Sequence, residues 1–268
     1  MIQRLRNKIN KEYRKHQRKH VPYQAQTTFI YPENWGEPLL IGAETLLKIC
    51  TSADTIRDAL QLVKQLESDD YLEYVKKLYQ TGLDRFGNYW TYSDLVIALM
   101  GVSKLISVEN YMEIGVRRGR SMAVVASQHP KCHIVGFDMW ISNYCGMENP
   151  GPKFVEQELG KVGFIGKVNF INGDSKKTVP GYFKENPGQY FDVITVDGDH
   201  SRHGATVDLK NVITHLKIGG LLIFDDIVSH EHPHLISVWN NVIKKSGRFE
   251  TFEYKGNGLG IAIGIRKY

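Results

Sequence analysis

The sequence predicts an α/β fold: a mostly parallel sheet covered by helices, closed by an antiparallel hairpin and preceded by a helical extension. Three observations predict it. From about Asn110 short, near-continuous apolar runs alternate with amphipathic stretches, the pattern of strands buried on both faces. At the end, Phe249–Tyr254, Gly256-Asn257-Gly258 and Leu259–Ile265 read as two strands around a tight turn. Before Asn110 the apolar spacing is helical.

In chain order, residues 1–20 form a basic tail. They carry Arg4, Arg6, Lys8, Lys11, Arg14, Lys15, Arg18 and Lys19 against Glu12, a net of +7 in a chain of +5, so the body nets −2. Such a segment reads as a solvated extension, capable of weak contact with an anionic surface. Aromatics are sparse in it, so no base-stacking platform is expected. Residues 21–42, with Pro22, Pro32, Gly36, Pro38 and Gly42, read as an irregular connection. Thr51 or Ser52 caps a helix striped by Ile56, Leu60, Leu62, Val63 and Leu66. Further helices are expected over Tyr71–Tyr79 and Tyr92–Leu105, separated by a turn-rich segment, Asp84–Asn88. The expected organisation is a tail (1–20), a helical region shaping the substrate side (21–104) and a cofactor-binding domain (105–268).

Within that last domain, strands are expected at Tyr111–Ile114, His133–Phe137, Val168–Ile171, Phe191–Val196 and Leu221–Phe224. Helices are expected over Ser121–Ser127, Ala205–His215 and Leu235–Ile243, with Leu216–Gly220 as a glycine stop after the second. The chain has 268 residues, 42% of them hydrophobic and 24% charged, with no apolar run approaching a membrane span. The basic start lacks a following apolar core, so it does not read as a secretory leader. Cys50, Cys132 and Cys145 are scattered, which argues against a disulfide scaffold or zinc site and for a cytoplasmic location.

Chemistry concentrates where strands end, because open α/β sheets bind ligands at the carboxyl ends of their strands. The first strand runs into Glu113-Ile114-Gly115-Val116-Arg117-Arg118-Gly119-Arg120-Ser121. Glycines there let a ligand approach the backbone, and the next helix offers free N–H groups. The Gly115–Gly119 spacing is not the G-x-G-x-x-G of a dinucleotide site. Asp138 ends the second strand, placed to accept from ribose hydroxyls or to serve as a turn carboxylate. Asp174 and Ser175 follow the third strand, where they also suit an ordinary turn. Asp197 ends the fourth strand, with His200 three residues on, and Asp225-Asp226 end the fifth. Three carboxylates on one edge repel one another unless a cation sits among them. An all-oxygen set suits Mg²⁺, Mn²⁺ or Ca²⁺; the pair otherwise reads as a helix cap. His200 has the right ordinary pKa for a general base. His230, His232 and His234 form an HxHxH that reads as a polar loop, the alternatives being a transition-metal site or a pocket lining.

These residues carry a resemblance. The form E-x-G-x-x-x-G resembles motif I of class I S-adenosylmethionine-dependent methyltransferases. MEIGVRRGRS is similar to the metal-dependent O-methyltransferases that include the catechol and macrocin enzymes, within a wider group containing cephalosporin hydroxylase-like proteins. DDIVSHEHPHLISVW (225–239) also resembles bacterial methyltransferases of polysaccharide and natural-product pathways, many of which carry His at its first position. The resemblance covers about residues 90–268. It implies a Rossmann-like seven-stranded sheet and a cofactor site of Glu113, Gly115, Gly119, Ser121, Asp138, Asp174, Ser175 and Asp197. Within it, Ser121 would meet the methionine carboxylate and Asp174 or Ser175 the adenine. It implies a divalent cation, Mg²⁺ foremost, on Asp197, Asp225 and Asp226, and His200 as base. The expected partner is a small-molecule acceptor, a sugar or natural product, with a homo-oligomer compatible and nucleic acid disfavoured. The rival readings are an RNA or protein methyltransferase docked by the tail, and a cofactor-binding relative that does not methylate.

Overall fold

The computed structural model describes residues 40–143 and 146–268. The basic tail, most of the irregular segment after it, and Cys145 lie outside the described residues.

Four helices come first: α1 (Ala43–Cys50), α2 (Ala53–Val63), α3 (Asp70–Phe86) and α4 (Leu95–Leu105). Side chains set their starts. Ser52, Asp69 and Asp94 accept backbone N–H groups of Thr55, Leu72 and Ile97, each three residues on. Asp94 therefore moves the start of α4 to Leu95, later than the expected Tyr92. Helix α3 runs well past the expected Tyr79, taking in Asp84–Phe86 and ending at Gly87 with φ +56°.

Strands and helices then alternate: β1 (Asn110–Ile114), α5 (Arg120–Gln128), β2 (His133–Asp138), α6 (Pro152–Lys161), β3 (Lys167–Asn172), α7 (Ser175–Glu185), β4 (Phe191–Val196), α8 (Arg202–Val212) and β5 (Leu216–Asp225). After these come α9 (Leu235–Val242), β6 (Phe249–Tyr254) and β7 (Ile261–Arg266). The seven strands order as β3-β2-β1-β4-β5-β7-β6. β1 to β5 pair in parallel, and β7 runs antiparallel to both β5 and β6. This is the Rossmann-like sheet of the methyltransferase fold.

One expected element is corrected. Leu216–Gly220 is not a glycine stop but the first half of β5. The β4–β5 register shifts between Phe191 and Val193, and Gly219 takes φ +79°. Glycines here serve a strand irregularity, which also fits a glycine pair after a helix.

Strand parity divides the core. Tyr111, Ile134, Val193, Leu221 and Ile263 pack with α1, α2, α4, α5 and α6 on one face. Met112, Val135, Ile194, Leu222 and Phe224 pack with α7, α8 and α9 on the other. The helical extension thus shares its core with the sheet. Among the described residues no helix is long and apolar enough to cross a membrane.

Candidate active site

Because β1 to β5 are parallel, their carboxyl ends share one edge, and the tips 115–119, 138, 173–174, 197–200 and 225–226 come together there. The β1 tip is fixed from both sides. Gly115 N–H donates to the Phe137 carbonyl at 2.8 Å, and Asp197 N–H donates to the Ile114 carbonyl at 2.9 Å. Gly115 has φ +90°, and a Cβ there would lie 1.9 Å from the Asp197 carbonyl oxygen. The absent side chain is what lets the glycine loop touch the β4 tip.

Asp138 braces the same loop. Its Oδ2 accepts the Val116 and Arg117 N–H groups at 2.8 Å each. Its Oδ1 accepts from Trp140 N at 2.7 Å and Asn149 Nδ2 at 3.3 Å. Four donors occupy a carboxylate with about four acceptor positions, so a ribose hydroxyl would have to displace one of them.

Glu113 and Ser121 face inward. Ser121 Oγ donates to Glu113 Oε1, and the Tyr111 hydroxyl lies 2.8 Å from both Glu113 Oε2 and Thr195 Oγ1. Glu113 is fully buried. Burial, against its hydrogen bonds, pushes its pKa from 4.5 up to about 8. A folded-state pKa raised this way makes stability complete below about 4.5 and lost progressively as pH rises to about 8. Glu113→Gln is expected to flatten stability across that window. Denaturant titrations at several pH values check it, and an unchanged slope would refute it.

Asp174 caps α7 by accepting Lys176 N–H at 3.0 Å, and Ser175 begins that helix. Lys176 Nζ reaches across to Asp199 at 2.7 Å, tying the β3 tip to the β4 tip. Burial opposes ionisation of Asp199, but Lys176 and Ser201 outweigh it and hold its pKa near 2.

The structure brings Asp197, His200 and Asp226 together. One ligand atom from each lies within 4.8 Å of the other two. His200 Nε2 is 3.1 Å from Asp197 Oδ1 and 3.8 Å from Asp226 Oδ2. Burial lowers the His200 pKa, but the Asp197 hydrogen bond and the Asp197 and Asp226 charges together raise it above the ordinary value. Asp226 takes φ +60°. Burial and the Asp197 charge push its pKa up to about 6. Asp225 stands apart from the trio and accepts the Asp226 N–H at 2.9 Å. Burial, then Asp197 and Asp226, raise its pKa well above the carboxylate range.

The HxHxH is partly drawn in. The His234 Nε2 lies 2.7 Å from the His200 carbonyl oxygen, and the His232 ring centre lies 4.9 Å from that of His200. His230 stays exposed.

Sequence reasoning assigned the helical region to the substrate side but named none of the residues by which it approaches the acid edge. The Tyr79 hydroxyl donates to Asp94, and Tyr92 stacks on Trp90 at 5.4 Å and meets Tyr254 edge-on at 6.1 Å. Asp94 acts electrostatically on Asp225, and Asp225 and Asp197 both act on the Tyr71 hydroxyl. The helix was expected from Tyr92, so the capping role of Asp94 and its reach to the acid edge both went unread.

Comparison with known proteins agrees with this geometry. Residues 112–227 match a family model described as a methyltransferase domain. No curated protein sequence matches significantly. Among solved structures, CalS11, a TDP-rhamnose 3′-O-methyltransferase of calicheamicin biosynthesis, is 18% identical. Its alignment covers 80% of this chain and 93% of that one at a TM-score of 0.50. A Klebsiella pneumoniae protein described as an O-methyltransferase is 14% identical, covering 80% and 90%, also at 0.50. At these identities the two carry the fold alone. The chain bears a methyltransferase domain on the class I, S-adenosylmethionine-dependent fold. It is a methyltransferase.

Proposed function

We propose that this methyltransferase moves the methyl group of S-adenosylmethionine to a hydroxyl of a small molecule, with a divalent cation at the acid edge. The observation that carries the reading is the meeting of Asp197, His200 and Asp226 beside the glycine loop. The cofactor residues are Glu113, Gly115, Gly119 and Ser121 of the first loop, with Asp138, Asp174, Ser175 and Asp197. CalS11, by its name, methylates a sugar hydroxyl, and a sugar or natural product is the acceptor class proposed here. The helical region before residue 105 forms the acceptor side through its tyrosines.

The donor set fits a divalent cation. Burial first, and then the Asp197 charge, raise the pKa values of Asp225 and Asp226, with the Asp226 charge adding to the rise at Asp225. Asp197 and Asp226 would hold the ion, with Asp225 adding charge beside Asp226 rather than serving as the third ligand expected from the sequence; a bound ion would lower the pKa of a nearby hydroxyl and orient it. His200 Nε2–H donates to Asp197 Oδ1 at 3.1 Å, leaving Nδ1 to accept the hydroxyl proton, and Asp197 stabilises the imidazolium that forms. The acceptor oxygen bonds to the methyl carbon as the carbon–sulfur bond breaks, and S-adenosylhomocysteine leaves as a neutral sulfide.

Screening the full chain with S-adenosylmethionine against neutral and charged hydroxyl compounds tests this. The expected result is acceptor-dependent S-adenosylhomocysteine formation, lost on exhaustive chelation and restored by Mg²⁺ or Mn²⁺. Turnover that survives chelation would remove the cation, and transfer only to nitrogen acceptors would remove the O-methylation reading.

A further inference from the structure

We infer that Arg117 binds an anionic group, phosphate or carboxylate, carried by the methyl acceptor, so that the acceptor is a charged small molecule. The inference rests on the methyl-transfer reading of the same site.

Three guanidinium groups follow the β1 tip, and two are neutralised. Arg118 pairs with Glu148 at 2.7 Å, with Asp69 at 3.4 Å and with Glu67 at 3.9 Å. Arg120 pairs with Asp69 at 2.6 Å. Arg117 is different. It makes no ion pair among the described residues, and its Nε and Nη2, like Arg118 Nε and Arg120 Nε and Nη2, are shielded from solvent without a hydrogen-bond partner there. Burial first, and the Arg120 charge second, pull its pKa below the usual value. Such a group still stays protonated. Asp69 offsets the lowering only in part, and a half-buried guanidinium without an ion pair is costly unless something anionic completes it.

The backbone holds it there deliberately. Arg117 takes φ +49°, rare for a residue with a side chain, and Asp138 Oδ2 fixes its N–H. Its guanidinium carbon lies 5.9 Å from the centre of the Tyr71 ring. The Tyr71 hydroxyl in turn feels the charges of Asp225 and Asp197. Tyr71, which Arg120 also approaches at 5.5 Å, is thus within electrostatic reach of both the Arg117 guanidinium and the acid edge. An acceptor whose hydroxyl reaches His200 can present its anionic group to Arg117, whose planar fork suits phosphate and carboxylate alike.

Calorimetry on the full chain saturated with S-adenosylhomocysteine tests this, using pyrophosphate and citrate as probes. The expected result is that at least one probe binds the wild type, and that Arg117→Gln weakens it about 10- to 100-fold without changing S-adenosylhomocysteine affinity. Arg117→Lys is expected to recover part of the loss, because charge returns without the fork. Binding of neither probe, or equal probe affinity in wild type and Arg117→Gln, would overturn the inference. So would a loss of S-adenosylhomocysteine affinity in Arg117→Gln with probe binding intact, since the guanidinium would then serve the cofactor carboxylate. If the wild type itself fails to bind S-adenosylhomocysteine, the methyl-transfer reading falls and takes this inference with it. That failure is distinguishable, because in every other case cofactor binding persists in the wild type.

Discussion

His200→Ala lowers methyl-transfer turnover by roughly 10²- to 10⁴-fold, the range for loss of a general base, and leaves cation affinity unchanged. The side chain is held in place. Its Nε2 faces Asp197 Oδ1 at 3.1 Å, and the His234 ring fixes its carbonyl at 2.7 Å. The same Nε2 belongs to the Asp197–His200–Asp226 trio, so a rival role as ion ligand makes a different prediction. A ligand's removal weakens cation binding directly, whereas a base's removal erases the acid limb of the rate–pH profile. Measuring Mn²⁺ affinity and the rate–pH profile of one variant separates the two. Weakened Mn²⁺ binding with an unaltered pH profile would refute the base assignment. Asp197→Asn should by contrast weaken cation binding and turnover together.

Gly115→Ala is expected to damage both stability and turnover. At φ +90° an alanine is strained, and its Cβ would lie 1.9 Å from the Asp197 carbonyl oxygen. Backbone strain of about 1–2 kcal/mol and forced displacement of about 1–3 kcal/mol add to a loss of roughly 2–5 kcal/mol. The atom pushed away belongs to the residue that orients His200, so the loop and the proton acceptor are disturbed at once. Denaturant unfolding and S-adenosylhomocysteine titration check this. Wild-type stability in the variant would show that the β1–β4 tip contact is looser than the geometry implies.

What was legible in the sequence follows from how local each signal is. β4 was readable from Phe191 to Val196 because a strand buried on both faces is apolar throughout. β5 was only half-readable, because Gly219-Gly220 signal a helix stop as well as a strand irregularity. The strand-end positions of Asp138, Asp174, Asp197 and Asp225 were legible from spacing. What their side chains touch was not. The occupation of Asp138 by four donors depends on Trp140 and Asn149 turning back from the next loop. The separation of Asp225 from the trio depends on the left-handed backbone at Asp226, which no composition rule encodes. Tyr71 lies more than a hundred residues before Asp197, and only tertiary packing joins them.

The placement of β7 has a consequence for the order of assembly. It lies between β5 and β6, although it follows both in the chain. During synthesis β5 has β4 on one side and nothing on the other until residues 261–266 emerge, and β6 has no sheet to join before then. Arg266 then donates to the carbonyls of Ile213 and Leu216, fastening β7 to the turn where α8 passes into β5. The glycine loop and Asp138 belong to strands that can pair earlier, while Asp225 and Asp226 sit on the strand whose second edge closes last. A nascent chain therefore exposes one open β edge beside its acidic residues at a stage when such an edge is prone to pair wrongly. The strands that carry the glycine loop and Asp138 are thus paired before the strand that carries Asp225 and Asp226 is closed.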